Sequence, residues 1–174
     1  ALDFYMKTFP DSAINVNIHY GAEGPGPEGT VMYANFNLFG QNFVAMDDPQ
    51  GADYTFNEAV SLVVNCENQA EVDLFWEKLT ADGGQESQCG WLKDKYGISW
   101  QIVPTALMRL LSNPDPAVAG RVMQAMFQMR MIVIAGPSTA NSAPSWTSAR
   151  VFRSALCPAG VNNSGSTCSS PRAS

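Results

Sequence analysis

The sequence predicts an α+β fold with an internal repeat, in which one helix followed by strands occurs twice. Three observations support this prediction. Apolar and polar residues alternate over short segments, which is typical of strands, and apolar residues recur at helical spacing over others. Clusters of Gly, Pro and Asp separate the two kinds of segment. The chain has 174 residues, of which 45% are hydrophobic, so it can bury a sizeable core.

The first copy of the repeat begins with a helix and continues as strands. Ile14, Val16 and Ile18 alternate with polar residues, which predicts a strand. No strand precedes the helix, so we expect the first strand of this copy to be missing from the sequence. The elements expected here are a helix over residues 2–9 ended by Pro10, a strand over 13–20, a Gly- and Pro-rich connector over 21–29, and two strands within 30–47 joined by a turn at 40–42.

The second copy has a well-marked helix between strands. Val72, Phe75, Trp76 and Leu79 recur at helical spacing, and acidic residues lie near the start of the segment. Further helices are expected after the last strand of this copy. The elements expected here are a strand over 59–65, a helix over 68–79, strands over 88–92 and 99–103, helices over 105–111 and 116–130, and a last strand over 131–135.

The composition changes near residue 135. Residues 1–135 hold all sixteen acidic residues and seven basic ones, a net charge of −9, whereas residues 136–174 hold three arginines and no acidic residue, a net charge of +3. Ten serines lie in this C-terminal stretch, which buries too little apolar surface to offset its ordering entropy. We therefore predict a folded domain over residues 1–135 and a flexible tail, rich in Ser, Ala, Gly and Pro, over residues 136–174.

The composition also argues against several classes of function. A net charge of −6 does not favour nucleic-acid binding, which normally needs a basic face. No apolar run is long enough to span a membrane, and the first residues do not read as a signal peptide. The four cysteines form no CxxC pair and lie near no histidine, which argues against a zinc site. We therefore expect a cytoplasmic protein with reduced thiols.

Several segments of the chain resemble one known family. The most specific is QCGWLKDKYGISWQIVP at residues 88–104. On these segments the chain is identified as a member of the PhnB-like (3-demethylubiquinone-9 3-methyltransferase-like) family, within the glyoxalase/bleomycin-resistance/dioxygenase (vicinal oxygen chelate) superfamily. The other segments are FPDS at 9–12, EAVSL at 58–62, WEKL at 76–79 and RVMQAM at 121–126.

The resemblance implies paired βαβββ modules whose strands form a half-open barrel around a cavity, usually in a dimer. We therefore expect a homodimer, with one cavity wall affected by the missing first strand. Two classes of function follow from the resemblance. We favour metal-independent binding of a small-molecule ligand in the barrel cavity. The alternative is a superfamily enzyme, such as an isomerase, a lyase or a dioxygenase-like relative, or the methyltransferase of the family name.

The resemblance also raises the question of a metal or cofactor. Many superfamily members hold a divalent metal with His and Glu on the first and last strands of each module. In the second module these positions correspond to Ser61 and Gln101, which are neutral and weak ligands. His19, the only histidine, is more typical of a partly exposed strand residue than of a ligand. The Gly-rich residues 21–29 lead into a strand and contain two glutamates, which does not suit S-adenosylmethionine. We predict no metal and no cofactor.

Four side chains are the best candidates to line the barrel cavity. Gln101 lies among apolar residues on a strand, on the same face as Ser99, so it either orients a polar ligand or bonds to Ser61 or to the backbone. Trp91 either stacks on a ligand or packs in the core. Cys89 has two lysines nearby in sequence, so it is either a reactive thiol or an inert one. The candidate set is Ser61, Cys89, Trp91 and Gln101.

Overall fold

The computed structural model describes residues 1–134, so the expected boundary at residue 135 and the tail over residues 136–174 lie outside the described residues. Residues 1–134 form two β-sheets and four α-helices, which confirms the α+β class. The elements are α1 (Leu2–Thr8), β1 (Ser12–His19), β2 (Val31–Leu38), β3 (Gln41–Ala45), β4 (Ser61–Cys66), α2 (Gln69–Thr80), β5 (Gln85–Glu86), β6 (Trp91–Lys93), β7 (Ser99–Pro104), α3 (Thr105–Leu111) and α4 (Pro116–Met126).

The two sheets correspond to the two copies of the repeat. The first sheet has the strand order β1-β2-β3 and is antiparallel, whereas the second has the order β4-β7-β6-β5, with β4 parallel to β7. Helix α2 makes part of the crossover that the parallel pair requires. The sheets do not close into a barrel over the described part of the chain. In the second sheet β4 pairs with β7, the last strand of its copy, whereas within residues 1–134 no strand pairs with the free side of β3.

Helix α2 begins one residue after its predicted start, because residue 68 caps it. The side chain of Asn68 accepts a hydrogen bond from the backbone N–H of Glu71 at 3.0 Å. This bond satisfies one of the N–H groups that has no partner within the helix. Val72, Phe75 and Leu79 are buried on the face of α2 that packs against β6 and β7. The apolar spacing that predicted the helix therefore also fixes which side of it meets the sheet.

The turn between β2 and β3 begins one residue earlier than predicted. Phe39 and Gly40 both have a positive φ, 48° and 77°, and β3 begins immediately after them. Two successive residues in this conformation match the twist of the strands that a two-residue hairpin joins. The residue type at position 39 does not favour such a conformation, since an aromatic side chain rarely adopts a positive φ. The sequence therefore misplaces the turn at residues 40–42.

The predicted strand over residues 88–92 is wrong at its start. Cys89 and Gly90 have positive φ values of 60° and 83°, so they form a turn, and β6 begins only after it. This turn is held by the chain that follows α4. The N–H of Cys89 donates to the carbonyl of Met129 at 2.8 Å, and the N–H of Gly90 donates to the carbonyl of Arg130 at 2.7 Å. The short strand β5 was not predicted.

The C-terminal end of the described chain also differs from the prediction. Helix α4 ends four residues early, because the N–H groups of Gln128 and Met129 donate to the carbonyls three residues before them and tighten the last turn. The predicted strand over residues 131–135 is absent from residues 131–134, where Ile134 makes only an isolated bridge. The N–H of Ile134 donates to the side chain of Gln69 at 2.7 Å, which ties this segment to α2.

One hydrophobic core serves both copies of the repeat. It contains residues of α1, β2, α2, β4, β6 and β7. Phe9, which is 1% exposed, lies among aromatic rings of both copies, with its centroid 5.5 Å from that of Phe75 and 5.2 Å from that of Trp100. A second, smaller cluster packs α3 and α4 against the segment that follows them. The first helix is therefore held by packing against the second copy.

Candidate functional site

The candidate site lies on the face of the second sheet opposite α2, which we call the open face. Residues alternate between the two faces of a strand. Leu92, Trp100 and Ile102 are buried on the side of α2. The opposite positions are polar or exposed and form the open face. These positions are Ser61 and Val63 of β4, Trp91 and Lys93 of β6, and Ser99 and Gln101 of β7.

Two adjoining cavities border this face. The larger has a volume of about 310 Å³ and lies between β3, the segment before β4, and the first residues of β4 and β7. The smaller has a volume of about 150 Å³ and lies over β5 and β6. Ser99 lines both cavities. The walls of the larger cavity are the apolar residues Phe43, Phe56, Val60, Leu62 and Ile98 and the polar residues Thr55, Asn57, Ser61 and Ser99.

Ser99 is a site residue that the sequence analysis did not select. Its side chain is buried, with 1% exposure, and its Oγ has no hydrogen-bond partner among residues 1–134. Most buried polar atoms in proteins are hydrogen-bonded, because an unpaired one loses its bonds to water without compensation. The alternation of β7 did place Ser99 on the face of Gln101, and this was the available signal. Burial without a partner is visible only in the structure.

Ser61 and Gln101 contact each other on the open face. The Nε2 of Gln101 donates a hydrogen bond of 2.8 Å to the Oγ of Ser61, which is one of the two alternatives that the sequence left open. Ser61 lies opposite Ser99 in the parallel pair of β4 and β7. The three side chains therefore form a small group of uncharged hydrogen-bonding atoms beside the larger cavity.

This group does not fit a divalent metal. Hard cations require several oxygen or nitrogen ligands with a compensating negative charge, whereas the hydroxyl of Ser61 and the amide of Gln101 are neutral and already bonded to each other. Within residues 1–134, no three side chains of His, Cys, Asp or Glu lie close enough to share an ion. His19 is exposed on β1, and its Nδ1 donates to the carbonyl of Gly29 at 2.8 Å.

Trp91 and Cys89 lie in different surroundings. Trp91 is opposite Gln101 in the antiparallel pair of β6 and β7, is partly buried and lines the smaller cavity. Cys89 lies in the turn before β6 and lines neither of the two cavities. Cys66 lies on the α2 side of β4, where burial raises the pKa of its thiol to about 12, so this thiol stays protonated at neutral pH. Three of the four predicted site residues therefore share the open face.

An ion pair holds the segment before β4 against the sheet. The Nζ of Lys93 contacts the carboxylate of Glu58, and both residues line the smaller cavity. The hydrogen bond from Lys93 lowers the pKa of the Glu58 carboxyl. Both side chains retain contact with solvent, so the pair contributes little to stability. Its consequence for the site is that Lys93, on the open face, is already paired with a carboxylate.

The Gly-rich connector does not fit S-adenosylmethionine. The N–H of Tyr20 donates to the carbonyl of Thr30 at 2.9 Å, and the N–H of Gly29 donates to the carbonyl of Tyr20 at 3.0 Å. These bonds close a loop between β1 and β2. A strand follows the loop, so it offers no helix N-terminus to a negatively charged ligand.

The fold and the open face define a two-module α+β protein with a sheet that borders an apolar cavity. A sequence model of the 3-demethylubiquinone-9 3-methyltransferase family matches residues 1–103, which is more than half of the chain. The chain belongs to this PhnB-like family, which confirms the resemblance found in the sequence. None of the helices within residues 1–134 is long and apolar enough to cross a membrane.

Two solved structures illustrate the similarity. A PhnB protein from Bacillus cereus is 39% identical in sequence, and the match covers 59% of this chain and 87% of that protein, with a TM-score of 0.56. A protein from Pseudomonas aeruginosa is 16% identical, and the match covers 59% of this chain and 85% of that protein, with a TM-score of 0.49. No curated protein matches the chain.

Proposed function

We propose that the protein binds a small molecule, without a metal, in the larger cavity beside the open face. The observation that carries this proposal is Ser99, which lines the cavity and whose buried hydroxyl has no partner within residues 1–134. After a rotation of its side chain towards the cavity, a ligand atom would supply the missing hydrogen bond. The cost of leaving such a hydroxyl unpaired, about 1–3 kcal/mol, is then recovered on binding.

The composition of the cavity wall supports binding. Small-molecule sites are mostly apolar, with a few polar groups that fix the orientation of the ligand, and their volumes begin at about 300 Å³. The larger cavity, of about 310 Å³, combines five apolar residues with four polar ones. Its polar residues are uncharged, which favours a binding role over acid–base catalysis. The superfamily-enzyme alternative would need a proton donor or acceptor that this wall does not provide.

Binding of a neutral aromatic probe, N-phenyl-1-naphthylamine, tests this proposal. We expect a saturable rise in its fluorescence with the 1–174 chain. Val60 is 73% exposed at the cavity wall, and a Val60→Trp substitution would fill the space beside it. We expect this variant to weaken binding by about tenfold or more. The matched control is Met108→Trp, at a 53% exposed residue of α3 that does not line the cavity. Equal binding by the two variants would place the probe elsewhere and contradict the proposal.

We also propose that the protein forms a homodimer through the outer face of the first sheet. Val16 and Val44 both lie opposite Asn35, so they share a face, and they are 42% and 53% exposed. Ile18, two residues beyond Val16 on β1, is 43% exposed. The opposite face of β2 is the one that packs into the core. A second copy of the chain would remove these apolar side chains from water.

Sedimentation velocity tests the dimer. We expect the wild-type chain to sediment as a dimer at micromolar concentration. A Val16→Asp substitution would place a charge beside the exposed apolar side chains of this face, and we expect it to shift the distribution towards monomer. Because Val16 is exposed in one protomer, the substitution should leave the circular dichroism spectrum unchanged. A monomeric wild-type protein, or a Val16→Asp variant as dimeric as the wild type, would contradict this interface.

A further inference from the structure

We infer that the ligand of the larger cavity presents an uncharged carbonyl oxygen to Ser61 and Ser99 and has a compact aromatic body. This inference rests on the proposed function and adds the chemical class of the ligand. Three observations carry it: two serines are paired in register on neighbouring strands, Gln101 bonds to one of them, and the residues within 1–134 that line the cavity carry no formal charge.

The two hydroxyls form a pair of hydrogen-bond donors. Ser61 and Ser99 face each other in the parallel pair of β4 and β7, and both line the larger cavity. The Oγ of Ser61 accepts the hydrogen bond from Gln101, so its own O–H is left to donate. The O–H of Ser99 is buried without a partner within residues 1–134, and a rotation of this side chain towards the cavity that it lines would let it donate to the same place. A carbonyl oxygen has two lone pairs and can accept both bonds.

The cavity wall selects against charged ligands. None of the residues that line the larger cavity is an acid or a base. The lysine on the open face, Lys93, is paired with Glu58 over the smaller cavity. A carboxylate that entered the larger cavity would lose its hydration without gaining a counter-charge. A ketone, an aldehyde or an amide presents the same acceptor oxygen without that cost.

The apolar part of the wall indicates the body of the ligand. Phe43 of β3 and Phe56 of the segment before β4 both line the cavity, together with aliphatic side chains of β4 and of the segment before β7. Aromatic side chains favour an aromatic partner through offset or edge-to-face contacts. A volume of about 310 Å³ limits the ligand to a compact molecule of about one to three rings.

Three probes of matched shape test this inference: acetophenone, which has the carbonyl; ethylbenzene, which lacks it; and benzoate, which carries a charge. We would titrate each into the ¹⁵N-labelled 1–174 chain and follow the amide shifts of residues around the cavity. We expect acetophenone to bind about tenfold more tightly than ethylbenzene, as two modest hydrogen bonds would provide. We expect benzoate to bind more weakly than either.

Two variants test the roles of the hydroxyls. Ser99→Ala removes one donor, and because its hydroxyl has no partner within residues 1–134, we expect no loss of fold stability. Acetophenone should bind about fivefold more weakly to this variant, with ethylbenzene unchanged. Gln101→Glu replaces a donor by a carboxylate that must accept from Ser61, which turns the O–H of Ser61 away from the ligand. We expect this positioning change to weaken the binding of acetophenone and to leave the binding of ethylbenzene unchanged. Ser112→Ala, at an exposed residue after α3, is the control.

The outcomes separate this inference from the proposed function. If ethylbenzene binds as tightly as acetophenone, or benzoate binds most tightly, the cavity binds ligands but does not select a carbonyl, and the inference is overturned. If Ser99→Ala and Gln101→Glu both keep the wild-type preference for acetophenone, the assigned donors are wrong and the inference is overturned. If no probe shifts residues around the cavity, the proposed function fails together with the inference.

Discussion

Replacing Phe9 by alanine is expected to lower the free energy of unfolding by about 4 kcal/mol, the largest effect of a single substitution that we predict. Phe9 is 1% exposed and follows α1 directly. Its ring lies between those of Phe75 and Trp100, with centroids 5.5 Å and 5.2 Å away, and it also contacts the rings of Tyr5 and Phe39. A smaller side chain would leave a cavity bounded by both copies of the repeat, which cannot collapse from one side.

Urea unfolding followed by circular dichroism measures this effect. The control is Phe127→Ala, since Phe127 is 56% exposed and its truncation should cost less than about 1 kcal/mol. Phe9→Leu, which keeps most of the apolar volume, should fall between the two. A Phe9→Ala variant no less stable than Phe127→Ala would show that α1 is not held by the second copy.

Much of the second copy could be predicted from local sequence. The apolar spacing of Val72, Phe75 and Leu79 predicted α2 and its buried face. The alternation over residues 99–103 predicted β7 and placed Ser99 and Gln101 on one face. These elements follow the local preferences of their residues, because each buries one side against a single neighbour.

Other features depend on contacts between distant residues. The turn at Cys89 and Gly90 is stabilised by hydrogen bonds to carbonyls about forty residues later, so a local pattern that resembles a strand was misleading. The bond between Gln101 and Ser61 was one alternative in the sequence, but only the pairing of β4 with β7 decides it. The burial of the Ser99 hydroxyl without a partner within residues 1–134 is a property of the folded structure. None of these can be found from spacing alone.

Replacing Asp94 by alanine is expected to cost about 3 kcal/mol of unfolding free energy. The carboxylate of Asp94 is 3% exposed and accepts four hydrogen bonds: from the hydroxyl of Tyr5 at 2.8 Å, from the Nε1 of Trp100 at 2.9 Å, and from the backbone N–H groups of Tyr96 and Ile98 at 2.9 Å and 3.1 Å. Alanine would leave buried donors from both copies unpaired. Asp94→Asn, which keeps one acceptor oxygen, should cost less than Asp94→Ala.

The Tyr5→Phe substitution removes the hydrogen bond between Tyr5 and Asp94, and we expect the resulting stability difference to depend on pH. Burial, and secondly the hydrogen bond to Asp94, raises the pKa of Tyr5 well above its ordinary value of 10.0. Because the pKa is raised in the folded state, the contribution of the Tyr5 hydroxyl to stability is fully present below the pKa of the unfolded chain. This contribution is lost as the pH rises above that pKa. The stability advantage of the wild type over Tyr5→Phe should therefore shrink by about 1.4 kcal/mol between pH 8 and pH 11. Urea unfolding of both proteins at the two pH values measures this difference. The titration of the other tyrosines cancels, because both proteins contain them. An advantage that does not change with pH would mean that the hydroxyl of Tyr5 is not buried against Asp94.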